Sequence, residues 1–223
     1  MAKKAQSTLV NMMLSLTIIA VVSAAALALL NNATKDPIAK AKADKVEIAL
    51  KEVLPEYDTT KLQKVTLKND KDTTKFDSII CKLAYDASDS LVGVAVESFS
   101  EDGFSGHLGV MVGFDAEGNI TGYNVLETQE TPGLGEKAKN WFKPAKYDND
   151  GQEMKDNGRV VYDLESPRTV IGKNPGKNII KVRKDKGEVD AITAATISSR
   201  AFCDAINRAY KAFNEVKGGT TNE

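Results

Sequence analysis

The sequence predicts an α+β domain, an antiparallel sheet with flanking helices, behind one N-terminal transmembrane helix. Three observations lead there. A charge-free run from Ala5 to Thr34 has an apolar heart, Leu9 to Leu30, about the twenty-residue length a helix needs to cross a bilayer. Short apolar runs separated by polar loops fill the stretch from Ile79 to Leu126, which reads as strands and hairpins. Near the end, Phe202, Ile206, Ala209 and Phe213 recur at helical spacing along one face.

Composition bounds the rest. Beyond the span, the 223 residues leave room for one domain of about 150–190 residues. Thirty-one acidic residues against 30 basic ones exclude the broad basic surface that nucleic-acid binding needs. Cys81 and Cys203 form no metal-ligand spacing, and each sits in an apolar context; they read as two buried thiols rather than a disulfide. The single histidine, His107, stands at the mouth of a strand and argues against both a His-rich metal site and a Ser-His-Asp triad. No metal site is expected.

In chain order, residues 1–8 form a cytoplasmic N-terminus, and 9–30 form the transmembrane helix. Lys3 and Lys4 precede the span, so the following domain faces outward. Ala26-Leu27-Ala28 offers the competing reading of a cleavable signal, whose apolar region ordinarily runs only about 7–15 residues. Residues 31–57 hold a juxtamembrane helix from Asp36 to Glu56. Its stripe of Val46, Leu50, Val53 and Leu54 ends at Pro55, and it packs on its own domain or docks on a neighbour.

The extracytoplasmic domain occupies 58–223. Residues 57–77 read as a loop with a short strand near Val65 and Leu67. Strands follow at Ile79–Tyr85 and Leu91–Phe99, then at Val110–Phe114 and Ile120–Leu126 around the hairpin loop Asp115–Asn119. Strands near Arg159–Leu164 and the C-terminal helix close the sheet. Between them, Asp148-Asn149-Asp150-Gly151 lacks the full calcium-loop pattern and reads as a surface loop. The basic run Lys173, Lys177, Lys181, Arg183, Lys184 and Lys186 reads first as a solvated face. Contact with a partner or a phosphate is the lesser reading.

Two stretches are candidates for chemistry, and by local physics alone each also reads as something ordinary, a helix start in the first case and a turn in the second. In Asp190–Ser199, Thr193 is expected to cap the last helix, with Ala194, Ala195 and Thr196 in its first turn. Free N–H groups and the positive end of the helix dipole collect there, which suits a phosphate. In Glu130-Thr131-Pro132-Gly133-Leu134-Gly135, Gly133 permits a tight turn. Thr131 can then meet a polar ring edge while Leu134 covers a flat aromatic face.

The string D-x-x-T-A-A-T ending at Thr196 resembles the D-x-x-(S/T)-G-A-T motif of the FMN-binding domain family, with Ala194 standing where that family has Gly. Glu130–Gly135, preceded by Met111–Asp115 and the Gly118 turn, resembles the same family's E-T-P-G-L-G loop. The likeness covers Leu91 to Phe213 and the anchor. It is similar to the G subunits of Rnf complexes, which are ion-translocating ferredoxin:NAD oxidoreductases. The related C subunits of sodium-pumping NADH:quinone reductases share both motifs. The resemblance implies FMN joined covalently to Thr196 by a flavin transferase. It sets Thr193, Ala194, Ala195, Glu130, Thr131, Gly133 and Leu134 around the cofactor. It further implies an electron relay among other membrane subunits, with the domain on the outer side of the bacterial inner membrane. No G-x-G-x-x-G fingerprint and no poised proton donor points to catalysis by this chain alone. A C-type subunit of a sodium-pumping NADH:quinone reductase, a stand-alone outward-facing flavoprotein and a non-flavinylated membrane-anchored interaction module are the other readings.

Overall fold

A computed structural model describes residues 8–69, 74, 76–147 and 152–220. The chain divides into two compact units, Met1–Val46 and Glu47–Glu223. Helix α1 is one element, Leu9–Val53, and takes in both helical stretches expected from the sequence. Its apolar segment is long enough to cross a membrane and is wholly exposed, which suggests a membrane anchor. Lys3 and Lys4 lie outside the described residues.

The second unit is built on a five-stranded antiparallel meander of β1 (Thr59–Lys68), β2 (Phe76–Tyr85), β3 (Leu91–Gly103), β4 (Gly106–Phe114) and β5 (Ile120–Thr128). Each strand pairs with the next. Local chemistry makes the turns: Asp86 Oδ1 accepts the N–H groups of Ser88 and Ser90, and Asp115 Oδ1 accepts those of Glu117 and Asn119.

Helix α3 (Thr196–Thr220) covers one face of the sheet. The four residues on its expected stripe are all buried. Phe202 stacks on Phe142 at 4.2 Å between centroids and meets Tyr123 edge-on at 4.7 Å, so the aromatic core lies beneath the helix's first turns. The Ser98 hydroxyl donates to Ala205 O at 2.8 Å, and the Ser100 hydroxyl to Asp204 at 2.7 Å, fixing α3 to β3.

On the opposite face, Gly113 and Gly122 pair across β4 and β5. A Cβ at Gly113 would collide with Val53 O, and one at Gly122 would come within 2.9 Å of Val53 Cα. The paired glycines form a notch for the last turn of α1, where Leu50, Val53 and Leu54 are buried. That turn therefore packs on its own domain.

Two expectations are corrected. Residues 59–68 form a full edge strand, not a loop with a short strand; its mostly exposed side chains hide the apolar alternation that marks a half-buried strand. Residues 159–164 do not close the main sheet. Only Arg159–Val160 (β7) is a strand there, paired with Lys155–Asp156 (β6) in a separate ribbon, because β5 hands the chain to a loop instead of to another strand. The Asp148–Gly151 loop lies outside the described residues.

Candidate functional site

The turn before α3 sets the geometry. The Ala195 N–H donates to Ile192 O at 3.0 Å, closing a turn in which Ala194 has φ +64°. The first helical bond follows, from Ser199 N–H to Ala195 O. Thr193 is therefore not the cap, contrary to the spacing argument. The turn uses the Ile192 carbonyl before the helix begins, and Thr193 is exposed within it. Ser199 stitches the entry instead: its hydroxyl accepts the Ile192 N–H and donates to Ala195 O, each at 2.9 Å. Thr196 becomes the first helical residue, and helix geometry leaves its N–H and those of Ile197 and Ser198 without intrahelical acceptors.

The second motif meets this turn in space. Gly133 adopts φ +74°, and Thr131 O accepts the Leu134 N–H at 3.1 Å, so the loop folds back and leaves Leu134 40% exposed. Glu130 is buried, and its Oε1 accepts the Phe104 N–H at 2.8 Å. Gly135 lies where loop and helix touch: a Cβ there would stand 2.5 Å from Ser198 Oγ and 2.6 Å from Glu130 Oε2.

A cavity of about 320 Å³ opens between the two segments. Among the expected residues, Glu130, Thr131, Leu134, Ala194, Ala195 and Thr196 line it together. Phe104 and Ile197 add apolar walls that no motif marked, though Phe104 follows the β3 glycine and Ile197 lies within the Asp190–Ser199 string. Gly133 shapes the turn without lining this cavity.

Across the turn lies a second, open cavity of about 740 Å³ that shares Ala194 and Thr196 and takes in Thr193. Its wall is organised by Asp190. The Asp190 N–H donates to Pro167 O at 2.9 Å, its carbonyl accepts the Trp141 Nε1–H at 2.9 Å, and its carboxylate pairs with Arg183 at 2.7 Å. Arg168 lies over the Trp141 ring, 4.8 Å from its centroid. Trp141 and Arg168 carried no sequence signal. The loops that hold them meet Asp190 only in the fold. From the basic run, Arg183 and Lys184 reach this cavity, while Lys173 pairs with Glu188.

The other singled-out groups lie elsewhere. His107 stacks on Phe99 and its Nδ1 meets Glu101 at 2.7 Å, a strand-end histidine as expected. Cys81 and Cys203 are free and buried. No cluster of metal-ligating side chains occurs among the described residues.

Residues 103–211 match the FMN-binding domain family, a range that contains the motifs on both sides of Thr196's cavities. The G subunit of the ion-translocating oxidoreductase complex of Vibrio vulnificus is 31% identical over 206 residues, covering 90% of this chain and 87% of that protein. The chain belongs to this G-subunit family. The corresponding G subunit of Shewanella amazonensis is 29% identical over 209 residues, covering 91% of this chain and 87% of that protein. The crystal structure of Shewanella oneidensis NqrC is similar at a TM-score of 0.43 and 21% identity, over 72% of this chain and 70% of that one.

The residues of this G-subunit chain fit the FMN for which the matching domain family is described. Three N–H donors at the start of α3 and the nearby cations suit a phosphate. The apolar walls of the smaller cavity suit a flat aromatic ring. Ala194 is exposed, so its methyl group leaves both cavities open.

Proposed function

We propose that this chain carries FMN in phosphoester linkage to the Thr196 hydroxyl and relays electrons within an Rnf-type ferredoxin:NAD oxidoreductase complex. The observation that carries this reading is the place of Thr196. It is the first residue of α3 and borders both the apolar cavity and the cationic one.

Each segment has a part. The first-turn N–H groups and the positive helix end hold the phosphate at the acceptor hydroxyl. Leu134, Phe104 and Ile197 cover the ring and exclude water, while Thr131 meets its polar edge. Glu130 joins the loop to the β3–β4 turn through Phe104. Bound FMN supplies the electron-transfer chemistry. The covalent link keeps the cofactor on a protein facing the outer side of the bacterial inner membrane; a flavin transferase installs it from a flavin dinucleotide, the Thr196 oxygen taking the flavin-side phosphoryl group and losing its proton as the nucleoside monophosphate leaves. The other membrane subunits of the complex are donor and acceptor. With α1 as anchor, protease added to intact spheroplasts is expected to digest the domain; full protection refutes the outward orientation.

The decisive test is intact and peptide mass spectrometry after co-expression with a flavin transferase. Wild type and Thr193→Ala are expected to carry the phosphothreonyl-FMN mass, and Thr196→Ala to lack it while still folding. Flavin on Thr196→Ala, or mapped to Ser198 or Ser199, refutes the acceptor assignment. The left-handed Ala194, in place of the family's glycine, favours a second reading as an unflavinylated interaction module. A wild-type chain without the added mass selects it.

A further inference from the structure

The two cavities that meet at Thr196 differ in charge. Among the described residues, Glu130 is the one ionisable residue lining the smaller cavity, and its carboxylate is engaged by the Phe104 N–H. The larger one is bordered by Arg168, Arg183, Lys184 and Asp190. Arg183 and Asp190 pair at 2.7 Å, whereas Arg168 and Lys184 form no ion pair with a carboxylate among the described residues. An anion bonded to Thr196 is stabilised on the side of these cations.

Arg168 is also the better placed cation. It is half-buried and its guanidinium carbon lies over the Trp141 ring, 4.8 Å from the centroid, while Trp141 is fixed by its N–H bond to Asp190 O. Its own loop is tied to the same residue through Pro167 O. Both supports therefore converge on Asp190, six residues before the acceptor. A guanidinium held on an aromatic face keeps its edge N–H groups free for a planar, two-point contact with phosphate oxygens.

We infer that Arg168, seated over the Trp141 ring, is the phosphate-positioning residue of this site: it holds the phosphodiester in the larger cavity and so directs the flavin ring into the apolar one. Trp141 then supports the arginine and does not stack on the flavin. The inference rests on flavinylation of Thr196, and its test separates the two.

Full-length protein is co-expressed with a flavin transferase and purified in detergent, as wild type, Arg168→Gln, Arg168→Lys, Trp141→Phe and Leu134→Ala. Flavinylation is followed by intact mass, the phosphodiester by ³¹P NMR, and the ring by visible absorption. Arg168→Gln is expected to slow flavinylation about tenfold, the scale of one charge-assisted hydrogen bond, and to displace the ³¹P resonance with the ring spectrum unchanged. Arg168→Lys should fall between, and Leu134→Ala should move the ring spectrum but not the ³¹P resonance. An unmoved ³¹P resonance in Arg168→Gln overturns the inference, as does a ring spectrum that responds to Trp141→Phe. If Arg168→Gln does not fold, Arg168→Lys alone decides by the same two signals. A wild-type chain without the FMN mass refutes the acceptor reading itself and, with it, this inference.

Discussion

The Thr121 hydroxyl donates to the carbonyl of Val53 at 2.5 Å, so β5 supplies the acceptor-end bond that the last turn of α1 cannot make for itself. Orphan carbonyls at a helix C-terminus need such partners when buried. Glu52, one residue earlier, takes the Asn124 amide at 2.5 Å and the Lys143 ammonium. These bonds form only because Gly113 and Gly122 admit the helix backbone.

Gly122→Ala and Gly113→Ala are therefore expected to destabilise the protein by about 1–3 kcal/mol each, the usual penalty of overpacking. Gly109→Ala serves as control, since a Cβ there meets nothing closer than 3.4 Å. Urea unfolding of the three variants, followed by circular dichroism, checks the order. Equal midpoints for all three refute the notch.

Glu130 is expected to matter for the loop as an acceptor more than as a charge. Glu130→Ala leaves the Phe104 N–H without its partner and should cost about 1–3 kcal/mol. Glu130→Gln keeps an acceptor oxygen and should lose less. Thermal melts of both variants read the difference, and a glutamine variant as unstable as alanine contradicts it.

Ala194→Gly removes a left-handed alanine. The strain is worth about 1–2 kcal/mol, and glycine returns about 0.5–1 kcal/mol of it as chain entropy. A net gain of up to about 1.5 kcal/mol is expected, with faster flavinylation under limiting transferase. A lower melting temperature or slower modification would show that the turn does not store this strain.

Burial pushes the Cys81 and Cys203 thiols up to about 12 from 9.0. Each thiol holds its proton more tightly in the native than in the unfolded chain. The linked stability is thus fully present below pH 9 and lost as the pH rises toward 12. Thiol labelling at pH 8 should be slow in native protein and reach two groups in denaturant, and the urea midpoint should fall between pH 9 and 11. Fast native labelling, or no thiols after denaturation, goes against two buried reduced cysteines.

What the sequence determined by itself is what neighbouring residues decide. The Leu9–Leu30 run makes a helix long and apolar enough to cross a membrane through its apolar content alone, Asp115 and Gly118 close the β4–β5 hairpin within five residues, and the Phe202–Phe213 stripe follows from the helical repeat. The two flavin-family motifs were legible for the same reason: each is a contiguous string. Tertiary structure decided the rest because its causes lie far apart in the chain. The exposed faces of β1 gave no alternation to read, and β7 could not announce that β5 would leave the sheet edge to a loop. Thr193 lost its cap to a turn that depends on Ser199 reaching back to Ile192. The left-handed backbone of Ala194, the meeting of Glu130 and Thr196 around one cavity, and the approach of Arg168 and Trp141 to Asp190 require the packed core. Only packing brings such distant backbone segments to within a hydrogen bond of one another.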